Sequence, residues 1–246
     1  MKEQCGNIVF GRNPVIELLK AGKRTVNKIL LAQTARGTAI DEIVRLAKSK
    51  GVALHSVPPE KLDKFGQNSQ GVAAEVSAME YIDIDDLIKK AKLSKNPLLV
   101  ILDGIEDPHN LGAIIRNCAV FGADGAIIPK WRAAGVNETV AKASAGAIEH
   151  IAVSRVVNTN QAIELLKKRG FWIVGAENGG ETLEAAKLPF PLALIIGSEG
   201  FGLHSLVKKN CDFLISIPQQ NTISSLNASC ASAVILYEIS KKRQIL

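Results

Sequence analysis

Cysteine and histidine are scarce in this chain. Cys5, Cys118, Cys211 and Cys230 lie far apart with no CxxC pair, and His55, His109, His150 and His204 are just as scattered. Neither a zinc site nor a disulfide framework is expected from such spacing. Long apolar runs are missing too. None is of bilayer-spanning length, and the opening MKEQCGNIVF carries no apolar signal core, so a reducing cytoplasm is the expected setting, with no membrane and no metal. There is no internal repeat and no low-complexity segment.

What is present suits a globular protein with a substantial core. The chain has 246 residues, 47% of them apolar, enough for one large domain or two modest ones. Lys and Arg outnumber Asp and Glu by 30 to 24, a formal charge of +6 that leans mildly toward polyanionic partners.

Hydrophobic periodicity divides the sequence into an α/β unit and a longer α/β domain. Asn13-Pro14 followed by VIELLKAG reads as a capped helix with proline in its first turn and Gly22 just past its end. NKILLA and VALHSV read as strands around a helix with a stripe at Ile40, Ile43, Val44 and Ala47, and GVAAEVS closes the unit. Residues 1–78 are taken as this first domain. The charged stretch 79–97, with DIDDLIKKAK as a surface helix, is taken as a linker. From 98 to 246, LLVILD, GAIIP, IAVSRV, FWIVGA, LALIIG and FLISI alternate with helical patterns, which predicts a mostly parallel sheet covered on both faces.

Three stretches carry polar residues where such sheets bind ligands, at the strand-to-loop junctions. In LDGIEDPHNLGAIIRNCAVFGAD, a strand ends at Asp103 and a helix begins near Asn110. Leu111, Ile114, Ile115, Cys118 and Phe121 form its apolar stripe, so Arg116 and Asn117 point elsewhere. Arg116 is either a solvated helix residue or, beside Asn110, a planar grip for phosphate. In LALIIGSEGFGL, a buried strand stops at a loop with glycines at 197, 200 and 202 and one carboxylate, Glu199. That loop is either a tight turn or a close backbone approach to a small ligand. In ISIPQQNTISSLNASCASA, Ser224 or Ser225 is a fair N-cap, and the small residues that follow allow close packing. Asn227 fits that reading poorly, because asparagine disfavours a helix unless its amide has a partner.

Taken together, the three stretches resemble, in order and placement, the three motifs of the SpoU/TrmH family of RNA ribose 2′-O-methyltransferases in the SPOUT class. The resemblance spans 98–246. Residues 8–77, with the GRNPVIELL opening, are similar to the small ribosomal L30-like substrate-binding domain that precedes the catalytic domain in bacterial large-subunit ribosomal RNA guanosine methyltransferases. The resemblance implies S-adenosylmethionine as methyl donor, held in a deep trefoil knot by backbone groups at Gly197, Ile217 and Leu226. It maps the catalytic set onto Asn110, Arg116, Glu199, Ser225 and Asn227, and it implies a homodimer through the C-terminal knot region. Many relatives carry methionine and glycine where this chain has Gln219 and Asn221. Asparagine tolerates a left-handed backbone, so the loop keeps its course and cofactor affinity is the property at stake.

The implied reaction is methylation of a ribose 2′-hydroxyl, expected on a guanosine of large-subunit ribosomal RNA, with transfer RNA as the alternative. A non-catalytic RNA-binding protein would have little need for all five polar site residues. A nucleotide-dependent dehydrogenase or ordinary Rossmann methyltransferase should show a glycine-rich turn after its first strand, yet LDGIEDPHNLG has no GxGxxG and VGAENGG falls short of it.

Overall fold

The computed structural model describes residues 7–63, 65, 69–198, 200–220 and 226–245. Its contacts divide into two compact units, Met1–Glu80 with Val136–His150, and Tyr81–Gly135 with Ile151–Leu246.

The first unit contains β1 (Asn7–Phe10), α1 (Arg12–Ala21), β2 (Val26–Ala32), α2 (Thr38–Ser49), β3 (Ala53–Val57), a short α3 (Glu60–Asp63) and β4 (Val72–Val76). Its sheet runs β1-β4-β2-β3, with β2 and β3 parallel and β4 antiparallel to both its neighbours. The parallel pair needs a crossover, which α2 supplies with Ile40, Ile43 and Ala47 buried at helical spacing. Gly11 rather than Asn13 stands at the N-cap of α1, while Gly22 ends the helix at φ 62 with its N–H on the Leu18 carbonyl, as the sequence predicts. Residues 136–150, which the sequence reading places in the second domain, cluster with this unit as α6 (Glu138–Ala143) and a 3-10 turn at Ala147–Glu149. There Arg24 Nη1 meets Glu149 Oε1 at 2.9 Å with both side chains nearly buried, a pair that leaves an uncompensated charge if either partner is removed.

The second unit begins earlier than the sequence suggests. Helix α4 (Ile84–Ala91), capped by the Asp83 carboxylate, buries Leu87, Ile88 and Ala91 in this unit's core. Its Asp85, Asp86, Lys89 and Lys90 crowd the segment with charge and so disguise a narrow apolar stripe as a linker. After it come β5 (Leu98–Asp103), α5 (Pro108–Val120), β6 (Gly125–Pro129), β7 (Val153–Val156), α7 (Thr159–Lys168), β8 (Trp172–Thr182), β9 (Leu192–Gly197), α8 (Ser205–Lys209), β10 (Phe213–Ser216) and α9 (Ala228–Ile245).

All six strands of this unit are parallel, in the order β10-β8-β9-β5-β6-β7. Every residue of β5 and β6 is buried, which is why each reads as an unbroken apolar run. From β5 the chain steps outward through β6 to β7, then returns on the other flank with β8 and inserts β9 between β8 and β5. The switch of direction lies between β5 and β9, and their carboxyl ends pair Asp103 with Gly197. Open parallel sheets bind ligands at such a point.

Candidate active site

The site is built on the loops that leave β5 and β9. Beyond β9, Ser198 and Gly202 exchange N–H···O bonds of 3.1 Å in both directions and close a tight glycine loop. A Cβ on Gly197 would collide with the Gly202 carbonyl group, so only glycine lets this turn fold back on its own strand. Gly202 has φ 64, and a Cβ there would lie 2.8 Å from Glu177 Oε2. That Glu177 carboxylate, from β8, accepts the Leu203 N–H at 3.3 Å and the Lys208 ammonium at 3.0 Å, clamping the far side of the loop.

Asp103 closes the end of β5. It is buried, and its Oδ2 accepts the His204 backbone N–H at 3.0 Å and lies 2.9 Å from His204 Nδ1. One carboxylate therefore joins the end of β5 to the segment that follows β9. Neither Asp103, His204 nor Glu177 was singled out from the sequence. The available signal was a carboxylate at the end of a fully apolar strand, a position where burial demands a partner.

Asn227 answers the difficulty raised by its sequence position. Helix α9 starts at Ala228, so Asn227 is not a helical residue at all. Its Oδ1 accepts the Ser229 N–H at 2.8 Å and the Cys230 N–H at 3.3 Å, making Asn227 the N-cap in place of the expected Ser224 or Ser225. Its Nδ2 donates to Asn110 Oδ1 at 3.1 Å, across from the third residue of α5. Asn117 is also an inter-helix residue and not part of a polar outer face: its Nδ2 donates to the Ser229 carbonyl at 2.9 Å and to Ser232 Oγ at 2.8 Å.

Two cavities meet at the glycine loop. One, of about 360 Å³, is lined by Gly197, Ile217, Leu226, Ala231 and Ile235, so the three positions expected to hold a cofactor share one wall system. Gln219 lines it as well. The small side chains Ala228 and Ala231 of α9 give this cavity its room, which accounts for the thin helix start. The other cavity, of about 650 Å³, is lined by Gly104, Asp107, Asn110, Arg132, Phe201 and His204. Ser198, Phe201 and Gly202 belong to both.

Arg116 lies on the exposed face of α5 and lines neither cavity. Among the described residues it has no hydrogen-bond or ion-pair partner, unlike Arg24, Arg155 or Arg243. Glu199 and Ser225 lie outside the described residues. No group of three or more His, Cys, Asp or Glu suited to a metal ion occurs among the described residues, and no described helix is long and apolar enough to cross a membrane. Burial pushes the Cys118 thiol up to about 12. Burial, then the Asp212 charge, pushes Cys211 up to about 11.

Comparison with known proteins accords with this architecture. Residues 97–237 match the SpoU rRNA methylase family, and residues 8–82 match the RNA 2′-O ribose methyltransferase substrate-binding domain. The chain belongs to the SpoU rRNA methylase family, a family of RNA methyltransferases. It is 46% identical over 244 residues to a Bacillus subtilis protein named as a TrmH family tRNA/rRNA methyltransferase, covering 98% of this chain and 97% of that one. A Staphylococcus saprophyticus protein of the same family name is 44% identical, with 97% of each chain covered. Among solved structures, the SpoU methyltransferase AviRb from Streptomyces viridochromogenes, in complex with AdoMet, superposes with a TM-score of 0.80 at 25% identity, covering 97% of this chain and 91% of that one. An AdoMet-bound rRNA methyltransferase from Sinorhizobium meliloti shares the fold, with a TM-score of 0.79 at 22% identity over 99% of this chain and 89% of that one.

Proposed function

We propose that this protein transfers the methyl group of S-adenosylmethionine to the 2′-hydroxyl of a guanosine ribose in large-subunit ribosomal RNA. The observation that carries the reading is the adjacency of two cavities at one glycine loop, one walled by Gly197, Ile217 and Leu226 and the other reaching Asn110. The residues present fit the cofactor. The first cavity is of small-molecule size, its apolar walls at Ile217, Leu226 and Ile235 suit an adenosine, and the bare backbone at Gly197 permits edge-on approach.

Bound there, the cofactor would supply a methyl group on a sulfonium, already a strong electrophile. The protein's share is then alignment and charge management. Asn227, fixed by its capping bonds, holds the Asn110 amide at the junction. Arg116, which lies outside both cavities, is assigned by motif to clamp an RNA phosphate with its planar fork of donors and to stabilise negative charge developing on the ribose oxygen. Among the described residues none takes up its donors. Glu199 is assigned by motif to hold Asn110 or the ribose by hydrogen bonding, and Ser225 belongs by motif to the same catalytic set.

The first unit is assigned to RNA affinity and target choice, supported by its match to a substrate-binding domain. The insertion of β9 between β8 and β5, with α9 packed on α5 and β9, supports a trefoil-knotted catalytic unit. Exposed Val120 and Tyr237, on α5 and α9, support a homodimer through these helices.

The test is methyl transfer from labelled S-adenosylmethionine to unmodified transcripts of large-subunit ribosomal RNA and transfer RNA, followed by nuclease mapping of the product. A 2′-O-methylguanosine in the ribosomal transcript is the expected result. Label in transfer RNA alone would replace the substrate, and no label in either, from protein that binds both, would leave an RNA-binding role.

A further inference from the structure

Phe201 is 93% exposed, more than any other large hydrophobic side chain described. It stands between Gly200 and Gly202 and is among the lining residues of both cavities. The ends of its loop are tied down. Its base is closed by the paired bonds between Ser198 and Gly202, its exit is held by Glu177 on the Leu203 N–H, and Leu203 itself is buried. An aromatic residue is thus presented to solvent between two tied ends, beside the cavity that contains Asn110.

A basic residue also lines that cavity, next in sequence to an aromatic one. Arg132 lines it from the loop after β6, preceded by Lys130 and by Trp131, which is 65% exposed with the Lys130 ammonium 5.3 Å from its ring centroid. This second loop is also pinned, by Arg155 Nη2 on the Lys130 carbonyl at 3.1 Å and by the Ala134 N–H on the Ile105 carbonyl at 2.8 Å. The acidic side chains of the lining are Glu106 and Asp107, and Asp107 already accepts the His109 N–H as the cap of α5. Flat apolar faces beside guanidinium and ammonium groups match one class of partner, an unpaired nucleic-acid strand, whose bases stack while its phosphates pair with the cations.

We infer that Phe201 is a stacking platform for an unpaired RNA base, positioned so that a nucleotide resting on it enters the cavity between Asn110 and Arg132. This rests on the RNA-methyltransferase reading and specifies how that site holds its substrate. Phe201 is a positioning residue: it orients the strand and takes no part in bond making.

The test uses the full chain and an unmodified transcript of large-subunit ribosomal RNA, with affinity measured by filter binding at fixed salt and S-adenosylmethionine affinity measured separately without RNA. Loss of one stacked base weakens binding by roughly a factor of five to a hundred. Phe201→Ala and Phe201→Leu are therefore expected to raise the RNA Kd roughly tenfold, while Phe201→Tyr stays within about twofold of wild type because the ring face is kept. The leucine variant separates stacking from apolar bulk. Wild-type-like RNA affinity in Phe201→Leu overturns the proposal, as does an RNA defect in Phe201→Tyr equal to that of Phe201→Ala. A change of mass by light scattering in Phe201→Ala, with RNA affinity unchanged, also overturns it by making the residue a contact between copies. Wild-type methyl transfer on the same transcript is measured in parallel. If that transfer is absent, the enzymatic reading fails, while the binding series still decides the role of Phe201.

Discussion

Asn227 reaches Asn110 across 3.1 Å while its own side-chain oxygen caps α9, so a single amide fixes the start of one helix and addresses a residue on another. The two jobs use different atoms, Oδ1 for the cap and Nδ2 for Asn110, and are separable by substitution. Asn227→Asp keeps an acceptor for the cap but cannot donate to Asn110. It should hold stability within about 0.5 kcal/mol of wild type and still lose most activity, whereas Asn227→Ala should lose both, with about 1 kcal/mol from the missing cap. Urea denaturation alongside single-turnover methyl transfer checks the split.

Arg116 is exposed and unpaired among the described residues, so Arg116→Ala should leave the denaturation midpoint unchanged within about 0.5 kcal/mol. Turnover should fall roughly a hundredfold or more, the scale of losing one charge-stabilising donor. Arg116→Lys keeps the charge without the two-pronged geometry and should recover part of the rate. Transfer by Arg116→Ala at the wild-type rate would reassign the residue to helix solvation.

Gly197→Ala places a methyl group against the Gly202 carbonyl, and the backbone on one side must move. A cost of about 1–3 kcal/mol is expected from the overpacking. Calorimetry should show S-adenosylmethionine affinity reduced by more than the stability loss accounts for, since the displaced backbone is a cavity wall.

The buried thiols set an alkaline limit on the fold. The Cys118 thiol is raised from 9.0 to about 12 by burial, so the folded state holds a proton that the unfolded chain releases earlier. Stability from this group is fully present below about pH 9 and is lost as pH rises toward 12. Cys118→Ala should flatten that alkaline decline relative to wild type in chemical denaturation. Near neutral pH, thiol reagents should modify exposed Cys230 and spare Cys118 until the protein unfolds.

Val120 and Tyr237 are 67% and 53% exposed on neighbouring helices, and Tyr237 makes an edge contact with Phe121. Light scattering should give a dimer mass at micromolar concentration, and Val120→Glu should shift it toward monomer. A monomer mass for the unaltered chain would remove the interface.

β5, β6 and β9 were legible as unbroken apolar runs because nearly every residue in them is buried, and β7, β8 and β10 as apolar stretches of which only part is buried. The grouping of Gly197, Ile217 and Leu226 came from the family resemblance, and all three line one cavity. Other features were hidden for specific reasons. Asn227 looked like a helix residue because the polar run before it offered earlier serine caps. Asp103 and His204 are 101 residues apart in sequence, and nothing local in either announces the other. Charge density concealed the buried side of α4, and the assignment of residues 136–150 to the first unit depends on long-range contacts that periodicity does not carry.

Ser198, Phe201 and Gly202 form a party wall, each lining the cavity on either side. Any two occupants resting against shared residues are subject to linkage: whatever the first does to the affinity of the second, the second does to the first by the same factor. Whether donor and acceptor help or hinder one another, the coupling read from either side would be the same number.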